Sequence, residues 1–136
     1  MLFRSDTDAF NAIIKSNKLP SGTDEDRKIK KLAINNAYQL AIETPYEIAT
    51  LCAKVLDLCV LLSQKGNPNS ISDIGVASES ALAGFKGASM NVIINLPSIN
   101  DKKIQKEMKE KLENMSKTVE SSYELTNSEV YKVMNS

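Results

Sequence analysis

The sequence predicts an all-α protein, an up-and-down bundle of four to five helices in a single domain spanning residues 1–136. Three observations carry that reading. Apolar residues recur every third or fourth position through almost the whole chain. No stretch alternates apolar and polar residues as a half-buried strand does. The breaks in the pattern, Leu19-Pro20-Ser21-Gly22, Gly66-Asn67-Pro68 and Leu96-Pro97, are followed by residues suited to capping a new helix.

The first helix is expected to open on Ser5-Asp6-Thr7-Asp8, which has the form of a capping box, with Phe10, Ile13 and Ile14 on its apolar face. Thr23-Asp24-Glu25-Asp26 is a second box. It opens a helix carrying Ile29, Leu32, Ala33, Leu40 and Ala41. Thr44-Pro45 is expected to kink or restart that helix, because proline lacks the amide donor and crowds the preceding turn. Ile48, Leu51, Cys52, Val55, Leu58, Cys59 and Leu62 form the next apolar stripe. Gly66 is expected to end it in a left-handed conformation. Asn67-Pro68-Asn69 turns the chain, and Ser70 or Ser72 caps a helix that runs to about Asn95. Ser98-Ile99-Asn100-Asp101 is a further box before a last helix from Asp101 to about Leu125. That helix has Ile104, Met108, Leu112, Met115 and Val119 inward and Lys and Glu outward. The tail from Thr126 adds a short helix or frays.

Composition excludes several classes of function. Lys+Arg and Asp+Glu both number 17, so no basic face recommends nucleic acid as a partner. No apolar run approaches the roughly 20 residues of a membrane span, and the start is too short for a secretory signal. A cytoplasmic protein is expected. Histidine is absent, which removes Ser-His and Cys-His nucleophile pairs and His-based zinc sites. Cys52 and Cys59 share one helix face about 10 Å apart, too far for a mutual disulfide. They read as buried free thiols. Any catalysis then falls to carboxylates, amides, hydroxyls or lysines, with no metal.

The polar chemistry concentrates in Lys65-Gly66-Asn67-Pro68-Asn69-Ser70-Ile71-Ser72-Asp73 and in the helix that follows. With Asp73 at zero on a helical wheel, Ala77, Ser80, Gly84, Ala88, Asn91 and Asn95 fall within about 60° of it. This face is a groove of small side chains with a carboxylate at one end and two carboxamides at the other. Tight helix packing, as at a dimer seam, accounts for such a stripe, and so does room for a flat ligand. Buried amides need partners, since an unpaired one costs about 1–3 kcal/mol. Asp73, in a first turn, suits accepting ligand N–H groups or simply serves the helix dipole. Asp6 decorates a helix start, or becomes an acid/base if docking desolvates it.

The run Asp6-Thr7-Asp8-Ala9-Phe10, then Leu19-Pro20, then Gly66-Asn67-Pro68-Asn69-Ser70 with Ser72-Asp73, then Gly87-Ala88 and Asn91-Val92-Ile93-Ile94-Asn95 resembles the formimino-tetrahydrofolate cyclodeaminase / methenyl-tetrahydrofolate cyclohydrolase family. The resemblance implies a dimerising all-α bundle of which this chain is a part, with the N-terminal portion of the family domain absent. It implies a tetrahydrofolate derivative as substrate, with no prosthetic group. The implied reaction converts 5-formimino-tetrahydrofolate to 5,10-methenyl-tetrahydrofolate and ammonia. The cyclohydrolase reaction, or an inactive helical or oligomerisation module, stands as the alternative. Asp6 matches the family's acid/base aspartate. Asn67, Asn69, Ser70, Ser72, Asp73, Asn91 and Asn95 are the expected substrate-binding residues, and a formiminotransferase is an expected partner. Exposed apolar surface is expected on the Ile48–Leu62 and Asp73–Asn95 helices unless self-association covers it.

Overall fold

The computed structural model describes residues 2–136, with side chains from Thr7 onward. Its secondary structure is four long helices: α1 (Leu2–Asn17), α2 (Asp24–Lys65), α3 (Ile71–Asn95) and α4 (Lys102–Met134). Short 3-10 turns at Pro68–Ser70 and Leu96–Ser98 join the last three. None of these helices is long and apolar enough to cross a membrane.

α2 starts as its sequence predicts. The Thr23 hydroxyl oxygen accepts the Asp26 N–H at 3.0 Å, and the Asp26 carboxylate accepts the Thr23 N–H at 3.2 Å. Two of the orphan donors at the helix start are thereby satisfied. The helix then runs without interruption through Pro45, which is buried. Proline in a helix interior costs about 3 kcal/mol. Packing along a helix about 60 Å long offsets that, so the expected restart does not occur.

Four features at the other helix ends differ from expectation. Gly66 is extended, with φ −80° and ψ 179°, and no described glycine has positive φ. Its requirement is steric: the Gly66 N–H donates to Leu62 O at 2.7 Å, and a Cβ at this site would run into that oxygen. Ser70 occupies the cap position of α3, but its hydroxyl makes no capping bond. Asp101, rather than Ser98, caps α4; its carboxylate accepts the N–H groups of Lys103 and Ile104 at 2.8 and 3.2 Å. α4 also continues well past Leu125, because Thr126 and Val130 are buried against the neighbouring helices. The capping box expected at Ser5 falls largely on side chains outside the described set, and the backbone is already helical from Leu2.

α2 and α3 form an antiparallel hairpin that is the central layer. Antiparallel register is fixed by Gly84 lying against Cys52 Sγ, and by Asn35 Oδ1 accepting the Asn100 N–H at 2.9 Å. α4 covers one side of this layer. Ser122 donates to Asp57 of α2 at 3.0 Å, Tyr123 donates to Glu79 of α3 at 2.6 Å, and Val130 packs on Gly75. The main core lies here, with Leu56, Val92, Leu96, Ile99 and Val119 almost wholly buried. Each such side chain contributes about 1.5–3 kcal/mol by burial. Cys59, Ile71, Ile74 and Val130 form a smaller second cluster at the α2–α3 joint.

α1 lies on the opposite side, over the first half of α2 only. Its docked face is Ala9, Ala12 and Ser16 rather than the expected Phe10 and Ile14, which are exposed. Small side chains let the two helices approach closely, and the larger residues then point away from the contact.

Candidate active site

The α2–α3 joint is held by local bonds. The Asn67 side-chain oxygen accepts the Asn69 N–H at 3.0 Å, and the Asn67 carbonyl accepts the Ser70 N–H, also at 3.0 Å. This Asx turn delivers Asp73 into the first turn of α3. Asn67, Asn69, Ser72 and Asp73 are exposed and Ser70 is half-buried, so the joint presents one open polar surface.

Asn91 and Asn95 sit elsewhere. Asn95 donates its amide to the Asn91 carbonyl at 2.9 Å, one turn back. From Asp73 to Asn91 the α3 axis advances about 27 Å. The two groups expected to share one substrate therefore occupy opposite ends of a helix. Asp6 lies on α1, and its side chain is outside the described residues.

What does unite the expected residues is the side of the hairpin they occupy. The residues of α3 on the side of α4 include Gly75 and Glu79, which touch it, and Ser89 and Ile93, which share a cleft with it. Asp73, Ala77, Ser80 and Asn91 fall about 180° around the helix from that set. They are exposed, with Gly84 and Asn95 half-buried beside them. The same side of α2 carries α1 and then, beyond it, exposed Leu51, Val55, Leu58 and Leu62. Exposed apolar surface on both helices is thus as expected, and it lies next to the polar groups.

Four clefts lined by described residues lie elsewhere. A cleft of about 370 Å³ between α3 and α4 is lined mainly by Phe85, Met90, Ile93 and Leu112, with Lys86 and Lys109 at its rim. A shallower one of about 450 Å³ is lined by Lys28, Lys31, Asn35 and Asp101. Burial raises both thiols, Cys52 and Cys59, which accords with inert packing. No group of three or more His, Cys, Asp or Glu among the described residues is arranged to hold a metal ion. Sequence reasoning missed Asn35. Its partner is a backbone N–H at position 100, and nothing in the pattern of residues announces a bond across that separation.

The profile of the formiminotransferase-cyclodeaminase family matches residues 1–114. The chain belongs to that family. It is 34% identical over 114 residues to the methenyltetrahydrofolate cyclohydrolase of Methylorubrum extorquens, covering 84% of this chain and 55% of that protein. It is 32% identical over 100 residues to the formimidoyltransferase-cyclodeaminase of Rattus norvegicus, covering 74% of this chain and 18% of that one. The solved formiminotetrahydrofolate cyclodeaminase of Thermotoga maritima superposes with a TM-score of 0.83 at 25% identity, over 98% of this chain and 62% of its own. The chain thus spans about half the length of the cyclohydrolase and under two thirds of the solved relative. The bundle is the family fold, and α1, α2 and α3, with every site residue named from the sequence, lie inside the matched range.

Proposed function

We propose that this chain acts on tetrahydrofolate-bound one-carbon units by closing the N5–C–N10 ring. In the cyclodeaminase reaction N10 attacks the formimino carbon on N5. A tetrahedral carbon forms, and the formimino nitrogen leaves as ammonia. Starting from the protonated formimino group, N10 must lose a proton and the leaving nitrogen must gain one. A single carboxyl group can do both, taking the first proton and returning it to the second nitrogen. Asp6 is assigned that role. Asp73 and the amides and hydroxyls at Asn67, Asn69, Ser70 and Ser72 are assigned the polar edge of the pterin, whose N–H groups need acceptors.

The observation that supports this reading is the match over residues 1–114, which includes every residue given a role. The separation of Asp73 from Asn91 adds a condition. One flat ligand does not bridge about 27 Å along α3, so the two polar ends serve one site only if a second copy lies antiparallel across this face. In that homodimer, Asn91 and Asn95 of one protomer would approach the joint of the other. A cytoplasmic enzyme working with a formiminotransferase is the setting in which ring closure would follow formimino transfer.

A second reading is the cyclohydrolase reaction, in which water attacks the methenyl carbon and the ring opens. The 34% identity to the Methylorubrum protein supports it, and the 32% identity to the Rattus norvegicus protein supports the first reading as well. Methenyl absorbance separates the two. Production of methenyl-tetrahydrofolate and ammonia from the 5-formimino compound supports the cyclodeaminase. Loss of methenyl absorbance without ammonia chemistry supports the cyclohydrolase. Asp6→Asn should lower either rate by roughly 10²–10⁴-fold. A folded chain that binds folate but shows neither reaction overturns both.

A further inference from the structure

We propose that the cleft between α3 and α4 binds a linear aliphatic dicarboxylate, with its chain on Phe85, Met90, Ile93 and Leu112 and its two carboxylates at Lys86 and Lys109. The cleft lies on the α4 side of the hairpin, about 180° around α3 from Asp73 and Asn91. It is therefore separate from the surface assigned to folate.

The middle of the cleft is apolar. Phe85 and Leu112 are buried and form its floor, while Met90 and Ile93 stand 67% and 52% exposed along its wall. Uncovered apolar walls gain from an apolar ligand, and methionine adapts its shape to one. The volume of about 370 Å³ is of small-molecule size. The cations stand at the two ends. Tyr123 bonds Glu79 and Val130 lies on Gly75, so α3 and α4 run antiparallel. Counting along both helices from Tyr123 and Glu79 puts Lys109 level with Ile93, and Ser116 level with Lys86. The two levels are about 10 Å apart along α3. With C–C bonds of about 1.5 Å in a staggered zigzag, a chain of about eight to ten carbons spans them.

Charge selects the ends of the ligand. Lys103 and Lys106 of α4 each lie at ion-pair distance from the glutamate one turn on. Lys109 makes no such pair with Glu113, and neither Lys109 nor Lys86 pairs with any other described residue. Ser116 lines the cleft half-buried, and its hydroxyl makes no hydrogen bond with a described residue. Lys86 and Ser116 together offer an ammonium and a hydroxyl to one carboxylate, and Lys109 offers an ammonium to the other. Glu113 lies between the two ends and opposes an anionic group there, which favours a ligand whose middle is uncharged.

The test titrates the 136-residue protein with sebacate and with decanoate, below the concentrations at which decanoate forms micelles. The two acids have the same chain length, and sebacate carries a carboxylate at each end. Calorimetry should give one saturable site, with sebacate bound about threefold to fivefold more tightly than decanoate. That advantage should shrink with added salt. Lys86→Gln and Lys109→Gln should each remove it, and Glu113→Gln should tighten both ligands. All three side chains are exposed, so each variant should still melt cooperatively. Isotope-labelled methyl groups of Met90 and Ile93 should shift during the titration, while that of Ile29, exposed at the start of α2, stays in place. Equal affinity for the two acids, or an advantage that survives both lysine variants, overturns the proposal. So does an absence of saturable binding. Met90 and Ile93 signals that move on dilution alone also overturn it, in favour of a second copy in the cleft.

Discussion

The two sides of the α2–α3 layer are built on opposite plans. On one side α4 closes the core with its apolar row and turns a charged row to water, where Lys103–Glu107 and Lys106–Glu110 lie at ion-pair distances of 3.9 and 3.8 Å. Such exposed pairs contribute little to stability, and their service is solubility. On the other side small and apolar outward residues surround the polar groups at Asp73 and Asn91. Val76 is 67% exposed and Ile94 is 75% exposed, and no charged residue occurs between Gly87 and Asn100. Water is the evident neighbour of α4. It is a poor neighbour for the open side, where contiguous apolar surface of this kind marks contact with something else.

The contrast can be tested residue by residue. The largest effect should separate two neighbours on α2. Leu56→Ala leaves a cavity in the main core and should cost about 2–5 kcal/mol in a denaturant melt. Leu58→Ala on the open side should cost less than about 0.5 kcal/mol in the same chain. Equal losses would mean that the open side is already covered in solution. The next effect separates two glycines on α3. Gly84→Ala places a Cβ 2.8 Å from Cys52 Sγ and should cost about 1 kcal/mol, since Cys52 must move. Gly87→Ala should instead stabilise the isolated chain by about 0.5–1 kcal/mol, through lower backbone entropy in the unfolded state. A loss at Gly87 would show that another backbone approaches there. Thr23→Ala removes the cap of α2 and should cost about 1 kcal/mol, lying near neither side and so serving as the calibrant. The smallest effect is at Tyr123. Its hydrogen bond to Glu79 holds the phenol above its usual range. The protonated form is thus favoured by folding, and that contribution is present below about pH 10 and lost as pH rises through the folded value. Tyr123→Phe should flatten the alkaline fall in stability, read as the melting temperature against pH.

Much of the fold is legible in the sequence because it is local. Thr23 and Asp26 cap α2 through bonds three residues apart, and α3 ends at Asn95 where Leu96-Pro97 stops it. The errors arise where tertiary packing decides. Pro45 is carried inside α2 because neighbours hold the helix together on either side of it. Thr126 and Val130 extend α4 because α2 and α3 are long enough to bury them. Periodicity identified the apolar positions of α2 but not which row faces inward, because the helix has two. Leu51, Val55 and Leu58 share a spacing as regular as that of Ala49, Leu56 and Ser63. The candidate site was legible as a set of residue types, and their common side follows from the wheel. Their distance along α3 did not register, because a helical wheel discards rise.

The short joint at Gly66–Ser70 also bears on how the chain comes to be folded. The α2–α3 hairpin pairs residues close in sequence at its closed end, where Cys59 meets Ile71 and Ile74. Contacts of this kind form early, since little loop entropy opposes them. The bond from Ser122 to Asp57 spans 65 positions and belongs to a later stage. Pulse-labelled hydrogen exchange should then show α2 and α3 protected before α4. For the nascent chain this order means that the α4 side of the hairpin and the part of the other side beyond α1 stand bare together, and only the first of them is closed by the next segment to be synthesised.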